Sequence, residues 1–400
     1  MASSPVVVVN RRLGVTEGVC SSTGVSEKEV LPFLRRFGRN TNSFLLSYGG
    51  CDWFESDAPP GLVPYVCTGN TCVVIGDPLC SPKEAMSLLE KFSCHVGNHR
   101  HIVLVLVSGR LMPQLKEAGY GTIEIGSDPF FDLHSWEPRG NRAKKVRSAV
   151  NLARRQGVRV TFYQPAEQRD LVLEKEMQAC VRAWLASRRG FDMRFFSVVR
   201  PLALAEEKRY FLAWHRGRVV GFLTCSPIYA RNGWYVEDIV RRPDAVYGTT
   251  ELLITSAFRS LREAGFSLAT LGLSPFASLS ADRLHRGRTR LIKAISLALT
   301  PFYNFRGVYH YRKKFAPSRW EKVYIAFWPD RLTLGLALDV ANTFIPGGLP
   351  GLARSWLASY TRSLVTRPVA AVSKQLHQRE ESSSEKTCKG DADDTRNKMA

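Results

Sequence analysis

Apolar positions along this chain recur in two rhythms, one of three to four residues and one of two, from about residue 25 to residue 330. The helical period opens over 25–37, after Ser26 with Glu29 three positions on, the spacing of a capping box. Short apolar runs predict strands at 44–47, 62–68 and 72–75, and then at 102–107 and 121–125. Helical patterns fall at 82–94 and 113–118. The second half has a similar rhythm: a helix over about 167–187, then strands at 210–215, 219–227 and 233–240. A helix over about 249–264, stopped by Gly265, leads to a strand at 268–271.

Between the halves, 141–156 predicts a helix with one buried stripe, Ala143, Val146, Val150 and Ala153. Arg142, Lys144, Lys145, Arg147, Arg154 and Arg155 cover the rest, and Gly157 ends it. No acid occurs from Pro138 to Ala166, so no ion pair one turn away relieves the repulsion. A solvated basic face is the plain reading; binding of phosphates is favoured. A second acid-free zone, Arg283 to Trp320, mixes ten Lys or Arg with Tyr303, Phe305, Tyr309, Tyr311 and Trp320. Such interleaving suits stacking on unpaired bases, or else a β-hairpin with core aromatics.

Composition sharpens this picture. A length of 400 residues accommodates two domains, and 44% hydrophobic residues supply a core. The net charge of +20 predicts a polyanionic partner, nucleic acid or an anionic membrane. The tail 379–400 has five basic and six acidic residues and predicts disorder, so the surplus belongs to the remainder. Residues 1–24 predict a flexible N-terminus. No stretch reaches the ~20 apolar residues of a spanning helix, which predicts a cytoplasmic protein, at most peripheral on a membrane. For membrane binding 331–378 is the candidate, with Trp356, Leu357 and Tyr360 among Arg354, Arg362 and Arg367. A helix packed on the domain is its alternative. Nine scattered cysteines without a CxxC pair predict reduced thiols. Cys94, His95, His99 and His101 lack metal-site spacing, and no metal or cofactor is expected.

The segment 233–240, GWYVEDIV, sets an acid in an apolar strand, with Arg241 three residues beyond Asp238. Strict alternation would put Trp234, Val236 and Asp238 on one face and Tyr235, Glu237 and Ile239 on the other. Asp238 and Arg241 are a candidate site pair, or a structural ion pair at a strand end. No nucleophile elbow, Walker A or dinucleotide fingerprint occurs, which favours chemistry by positioning and charge stabilisation. The element order is that of N-acetyltransferases. Their Gly-rich pyrophosphate loop, however, is reduced to Gly248 within RRPDAVYGTTELL, so the donor is expected to have changed.

Six short motifs, in order, carry a resemblance. They are Val74-Ile75-Gly76-Asp77-Pro78, Gly140 to Arg147 with Asn151, Trp184-Leu185, Asp238-Ile239-Val240-Arg241, Leu271 to Ala277, and Tyr311 to Pro317 with Trp320-Glu321. Over about 40–330 the chain resembles the C-terminal catalytic domain of the lysyl-phosphatidylglycerol synthase (multiple peptide resistance factor) family of aminoacyl-tRNA-dependent lipid aminoacyltransferases. The resemblance implies an α/β (α+β) fold of two tandem N-acetyltransferase-like (GNAT) domains, 25–140 and 158–330, joined by the basic helix 141–157. It implies an aminoacyl-tRNA donor and a lipid hydroxyl acceptor entering from opposite sides. The family's reaction-centre Asp and Arg fall on Asp238 and Arg241. Its basic FKxKF-like motif falls on Tyr311 to Phe315, with Arg312 for the first lysine and Lys314 retaining the second. An acid before Trp184 is missing, and Thr250-Glu251 replaces Met-Asp. No counterpart of the bacterial flippase half occurs in these 400 residues.

The expected activity is therefore transfer of an amino acid from aminoacyl-tRNA to a lipid hydroxyl. The lipid is of phosphatidylglycerol type or, as in some soluble fungal relatives, a sterol 3β-hydroxyl. Asp238 would orient the acceptor hydroxyl or the donor amine, held by Arg241, while Arg312 and Lys314 would stabilise the oxyanion or grip the tRNA end. Two other classes remain: a peptide-forming transferase using aminoacyl-tRNA on an amine, and a non-catalytic RNA-binding adaptor.

Overall fold

In the computed structural model, residues 27–97, 100–187, 199–275 and 305–344 are described. Helix α1 (Glu27–Phe37) precedes three antiparallel strands, β1 (Asp52–Asp57), β2 (Pro60–Thr68) and β3 (Thr71–Ile75). Helix α2 (Ala85–Val96) carries the chain back to β4 (His101–Ser108), parallel to β3. The short α3 (Met112–Glu117) leads to β5 (Gly121–Asp132). Beyond it come α4 (Lys144–Arg155), β6 (Arg159–Tyr163) and α5 (Leu171–Ser187). Antiparallel β7 (Arg209–His215), β8 (Arg218–Ile228) and β9 (Gly233–Arg241) follow. Helix α6 (Thr249–Glu263) then returns the chain to β10 (Leu268–Thr270), parallel to β9. The last described elements are β11 (Ser274–Pro275), α7 (Phe305–Lys313), β12 (Arg319–Trp328) and α8 (Leu334–Phe344).

The fold is mixed α/β. One sheet orders its strands β1-β2-β3-β4-β12-β5-β10-β9-β8-β7-β6, with β11 beside β5. Two strands weld the halves. β12 enters between β4 and β5, so Ile325 faces Val105 on one side and Ile123 on the other. The far end of β5 pairs with β10 through Phe130, Phe131 and Asp132. Period-two alternation sorts the side chains onto two helix-covered faces. Phe211, Ala213 and Leu223 join Val146 and Val150 of α4 and Leu253 and Phe258 of α6. Tyr210, Leu212 and Phe222 face Met177 and Cys180 of α5.

Several expectations change. Residues 44–47 are not a strand: Phe44–Tyr48 is a single 3-10 turn, in which Ser47 Oγ donates to the Phe44 carbonyl at 2.6 Å. That local bond competes with strand pairing, and the turn buries Phe44 and Leu46 together. Strands β1, β6 and β12 were not legible, being edge strands or charge-rich. Phe305–Lys313 is a helix, which excludes a hairpin there. The expectation of reduced thiols fails at Cys67 and Cys72, opposite each other on β2 and β3 and joined as a disulfide. Of 331–378, helix α8 is described, and it packs on the domain: Leu336 lies in a core with Val73, Val103 and Phe327. The N-terminus 1–24, Ser26, Tyr303, 345–378 and the tail 379–400 lie outside the described residues. Among the described residues no helix is long and apolar enough to cross a membrane.

Candidate active site

The site is built around an irregularity in β9. Thr224 of β8 faces Asp238, but the next residue, Cys225, faces Val236, which leaves Glu237 as the extra residue of a β-bulge. The bulge reverses the alternation. Trp234 and Val236 belong to the core under α4 and α6; after the bulge Ile239 does, while Val240 turns to the α5 face. Asp238 therefore projects on the face opposite to the one strict alternation predicted. There it joins Glu237 around one buried ammonium.

That ammonium is Lys208, whose side chain is 0% exposed beside a Glu237 side chain that is 6% exposed. Its Nζ lies 3.4 Å from Glu237 Oε1, donates to the Arg200 carbonyl at 3.2 Å, and sits 4.5 Å from the centre of the Tyr48 ring. Tyr48 comes from the first half of the chain, and its hydroxyl lies 2.9 and 3.0 Å from the two Glu237 oxygens. Burial pushes the Lys208 pKa down, against the pull of Glu237 and Asp238. Burial pushes the Asp238 carboxyl up, to about 8, reinforced by Glu237 and opposed by Lys208. Asp238 Oδ2 is enclosed and has no hydrogen-bond partner among the described residues. Sequence reasoning missed Lys208; a lysine opening an apolar strand (Lys208-Arg209-Tyr210-Phe211-Leu212) was the available signal.

Arg241 does not hold Asp238. Three residues further along β9, it falls on the other face with Ile239, in a cavity of about 450 Å³ lined also by Tyr247, Thr249, Thr250, Glu251, Tyr311 and Lys314. Lys314 and Glu251 form an ion pair there, and the Lys314 Nζ lies 3.9 Å from the centre of the Tyr311 ring. Burial works against the Glu251 carboxylate, but the hydrogen bond and charge of Lys314 prevail and lower its pKa. Tyr247, 70% exposed, stands at this cavity.

The cavity abuts the start of α6, where Gly248 has φ +91°. A Cβ on Gly248 would lie 2.1 Å from the Ala149 carbonyl oxygen, so α4 presses directly on this turn. This explains why the one surviving glycine of the loop stands where it does. On α4, Val146, Ala149, Val150 and Ala153 are buried, and Lys144, Lys145, Arg154 and Arg155 are exposed around them, as is Arg142 in the 3-10 turn just before the helix. Arg147 differs: its guanidinium donates to the carbonyls of Pro138 and Gly140 at 3.0 and 2.6 Å and so shapes the entering turn.

Arg312 and Lys314, two residues apart at the end of α7, part company. Lys314 faces Glu251, whereas Arg312 donates to the Leu273 carbonyl and lies 3.2 Å from Ser274 Oγ. Burial raises the pKa of Tyr235 and pushes the Asp128 carboxyl up to about 6, and the charge of Arg312 opposes both shifts without reversing them. Those two residues line a second cavity, of about 500 Å³, with Arg39, Arg110, Arg231 and Trp320. The two cavities share no lining residue. The second also takes walls from Leu106, Leu273 and Val323, which belong to the α1 core, so the cavities lie on opposite faces of the sheet.

Comparison with known proteins matches this chain to one family. The family model described as phosphatidylglycerol lysyltransferase, C-terminal, matches residues 32–327. A phosphatidylglycerol lysyltransferase of Staphylococcus haemolyticus is 22% identical over 306 residues, covering 74% of this chain and 35% of the relative. One from Staphylococcus aureus (strain N315) is 20% identical over 305 residues, with the same coverage. The chain thus spans 35% of the length of these curated relatives. Among solved structures, the DUF2156 C-terminal domain from Agrobacterium fabrum superposes with a TM-score of 0.67 at 19% identity, over 80% of this chain and 99% of that one. L-PGS from Bacillus licheniformis gives 0.67 at 20% identity, over 82% and 98%. These two share the fold. With the family model matched from residue 32 to residue 327, the chain belongs to the phosphatidylglycerol lysyltransferase C-terminal family.

Proposed function

We propose that this protein is an aminoacyltransferase that moves an amino acid from aminoacyl-tRNA onto the hydroxyl of a membrane lipid. The observation that carries the reading is the pair of cavities on opposite faces of the sheet, with β9 between them. Tyr235 of β9 lines one cavity, and Ile239 and Arg241 of the same strand line the other. The names of the relatives supply the lipid and the transfer. We read the two halves as tandem acetyltransferase-like units, each with a helix, antiparallel strands, a second helix and a strand parallel to the last.

The donor occupies the Arg241–Lys314 cavity. The start of α6 and these two cations favour an anion there, such as the terminal phosphate of a tRNA. The exposed cations of α4, against the same turn, take phosphates farther along. The acceptor hydroxyl comes from the other face and attacks the aminoacyl ester carbonyl. A new ester C–O bond forms, the bond to the tRNA ribose breaks, and the hydroxyl proton ends on the ribose oxygen. Asp238, held near neutrality by burial and Glu237, accepts that proton or orients the hydroxyl. Lys208 and Tyr48 hold Glu237 in place. Lys314, in the donor cavity, stabilises the oxyanion, and the charge of Arg312 acts on the acceptor side, beside Tyr235 and Asp128. Since the ester is already activated, aminoacyl-tRNA is the co-substrate and no further cofactor is invoked. The protein works from the cytoplasm as a peripheral visitor to an anionic membrane.

Nuclease treatment tests the donor. Activity must vanish with RNase, and coenzyme A thioesters must not restore it. Full activity with acetyl-coenzyme A and no tRNA refutes the reading.

A further inference from the structure

We propose that Lys208 is a positioning residue for the transfer: its enclosed ammonium is the fixed charge that sets how one proton is shared between the adjacent carboxylates Glu237 and Asp238. This rests on the role given above to Asp238 and adds to it the group that governs when that carboxyl is charged.

An ammonium has three N–H donors, and three oxygens surround this one. Lys208 Nζ donates to the carbonyls of Arg200 and Pro201 at 3.2 and 3.4 Å and to Glu237 Oε1 at 3.4 Å. The Tyr48 ring turns its face to the same charge, with its centre 4.5 Å away. Burial works against the charged form, and Glu237 and Asp238 restore it. With the side chain 0% exposed and all three donors engaged, Lys208 meets no substrate as a nucleophile or proton shuttle. What it supplies is a positive charge held in one place.

A structural ion pair would match one cation to one anion. Here the β9 bulge turns two consecutive carboxylates toward a single ammonium. Glu237 is satisfied, because the Tyr48 hydroxyl also lies 2.9 and 3.0 Å from its two oxygens. Asp238 Oδ2 is not, and the hydroxyls of Thr224, directly opposite on β8, and of Ser226 are likewise enclosed and unpartnered among the described residues. A carboxylate kept in this state is costly unless it is used. The charges acting on Asp238 are those of Glu237, which favours its proton, and Lys208, which opposes it. Burial keeps the facing phenols of Tyr48, Tyr210 and Tyr235 protonated. Arg200 turns its guanidinium to the Tyr48 carbonyl, at 2.7 Å. Beyond Tyr210, Glu174 of α5 pairs with Arg169 at 3.0 Å, and beyond Tyr235 stand Arg312 and Asp128. Two carboxylates against one cation leave one negative charge, and the proton that neutralises it belongs to the pair.

Infrared difference spectra of the full chain across pH test this directly. The protonated-carboxyl band that Asp238→Asn removes is followed, which separates it from Asp77 and Asp128, whose carboxyls burial also pushes up. In the wild type its midpoint is expected at about 8. Lys208→Met should raise that midpoint by on the order of one pH unit, and Glu237→Gln should lower it by a similar amount, since one removes a cation and the other an anion. The double variant returns it close to the wild type, and Lys208→Arg, which keeps the charge, holds it there. Turnover follows: below the midpoint Lys208→Met loses about tenfold in kcat with KM for charged tRNA unchanged, and regains it as pH rises. A loss of activity equal at every pH, as from a merely weakened fold, overturns the proposal. Midpoints that do not move in the folded variants, or that move the same way, also overturn it. If Lys208→Met does not fold, Glu237→Gln decides alone, by the fall of its midpoint. Opposite shifts in a protein that moves no amino acid to a lipid uphold the role of Lys208 and refute the proposed function. Transfer to a lipid with unmoved midpoints overturns the role of Lys208 and leaves the proposed function standing.

Discussion

Replacing Asp238 with asparagine separates a structural acid from a working one. Its carboxyl sits on the bulge beside Glu237, with one enclosed oxygen and a share in Lys208, and burial pushes its pKa up to about 8. A carboxyl whose folded pKa is raised binds its proton more tightly folded than unfolded. It therefore lowers stability progressively as pH rises from its unfolded value of 3.8 to its folded value. At about 1.4 kcal/mol per pKa unit the ceiling at pH 8 is about 6 kcal/mol, and relaxation and solvent access reduce this to roughly 1–2 kcal/mol. Asp238→Asn removes the charge and keeps the shape. It should raise the melting temperature by roughly 2–6 °C at pH 8, with the gain vanishing near pH 4. Turnover should fall by a factor of order a hundred, with tRNA affinity intact. The assays are melting scans across this pH range, tRNA binding and product formation on one preparation. A variant less stable than wild type at pH 8, or one with wild-type turnover, refutes the reasoning.

Three further outcomes are expected. Lys314→Met leaves a Glu251 side chain that is 6% exposed without its cation and should cost about 3 kcal/mol in urea melts, much of it recovered by adding Glu251→Gln. Because the Glu251 pKa is lowered, the contribution of this pair is complete above 4.5 and fades as pH falls through the depressed value. Lys144→Glu with Lys145→Glu should weaken tRNA binding and reduce the slope of its salt dependence by about one for each phosphate no longer neutralised, whereas Arg147→Ala should lower the melting temperature and spare affinity. Gly248→Ala, at positive φ and against the Ala149 carbonyl, should cost about 2 kcal/mol or more by melting and displace α4, lowering tRNA affinity as well.

What the sequence reveals here follows from how local each feature is. Helices α4 and α6 were legible because their apolar stripes repeat over several turns and end in Gly157 and Gly265. Strands β7 to β9 were legible because apolar runs and turns bound them. β1 and β6 were not, because each is an edge strand with one neighbour, β1 has only Trp53 and Phe54 among charged and polar residues, and β6 is a run of five directly after the basic helix. In the site, the sequence points to Asp238 but to the wrong face, since a bulge depends on how β8 pairs and leaves no mark in the β9 sequence. The expected Asp238–Arg241 pair fails for a simpler reason: three residues apart on one strand, the two side chains fall on opposite faces. Lys208 joins Tyr48 and Glu237 over long chain separations, beyond the reach of spacing. Arg312 and Lys314 read as one unit in the sequence, but two residues at a helix end point in different directions.

One measurement bears most directly on the central claim. The protein is incubated with tRNA charged with isotope-labelled amino acids and with mixed vesicles containing phosphatidylglycerol and a sterol, and the extracted lipid is analysed by mass spectrometry. The proposed function predicts a labelled aminoacyl ester of one lipid, released by mild alkali, absent after RNase and strongly reduced with Asp238→Asn. Label that stays on tRNA, or appears only as an amide on protein, contradicts it.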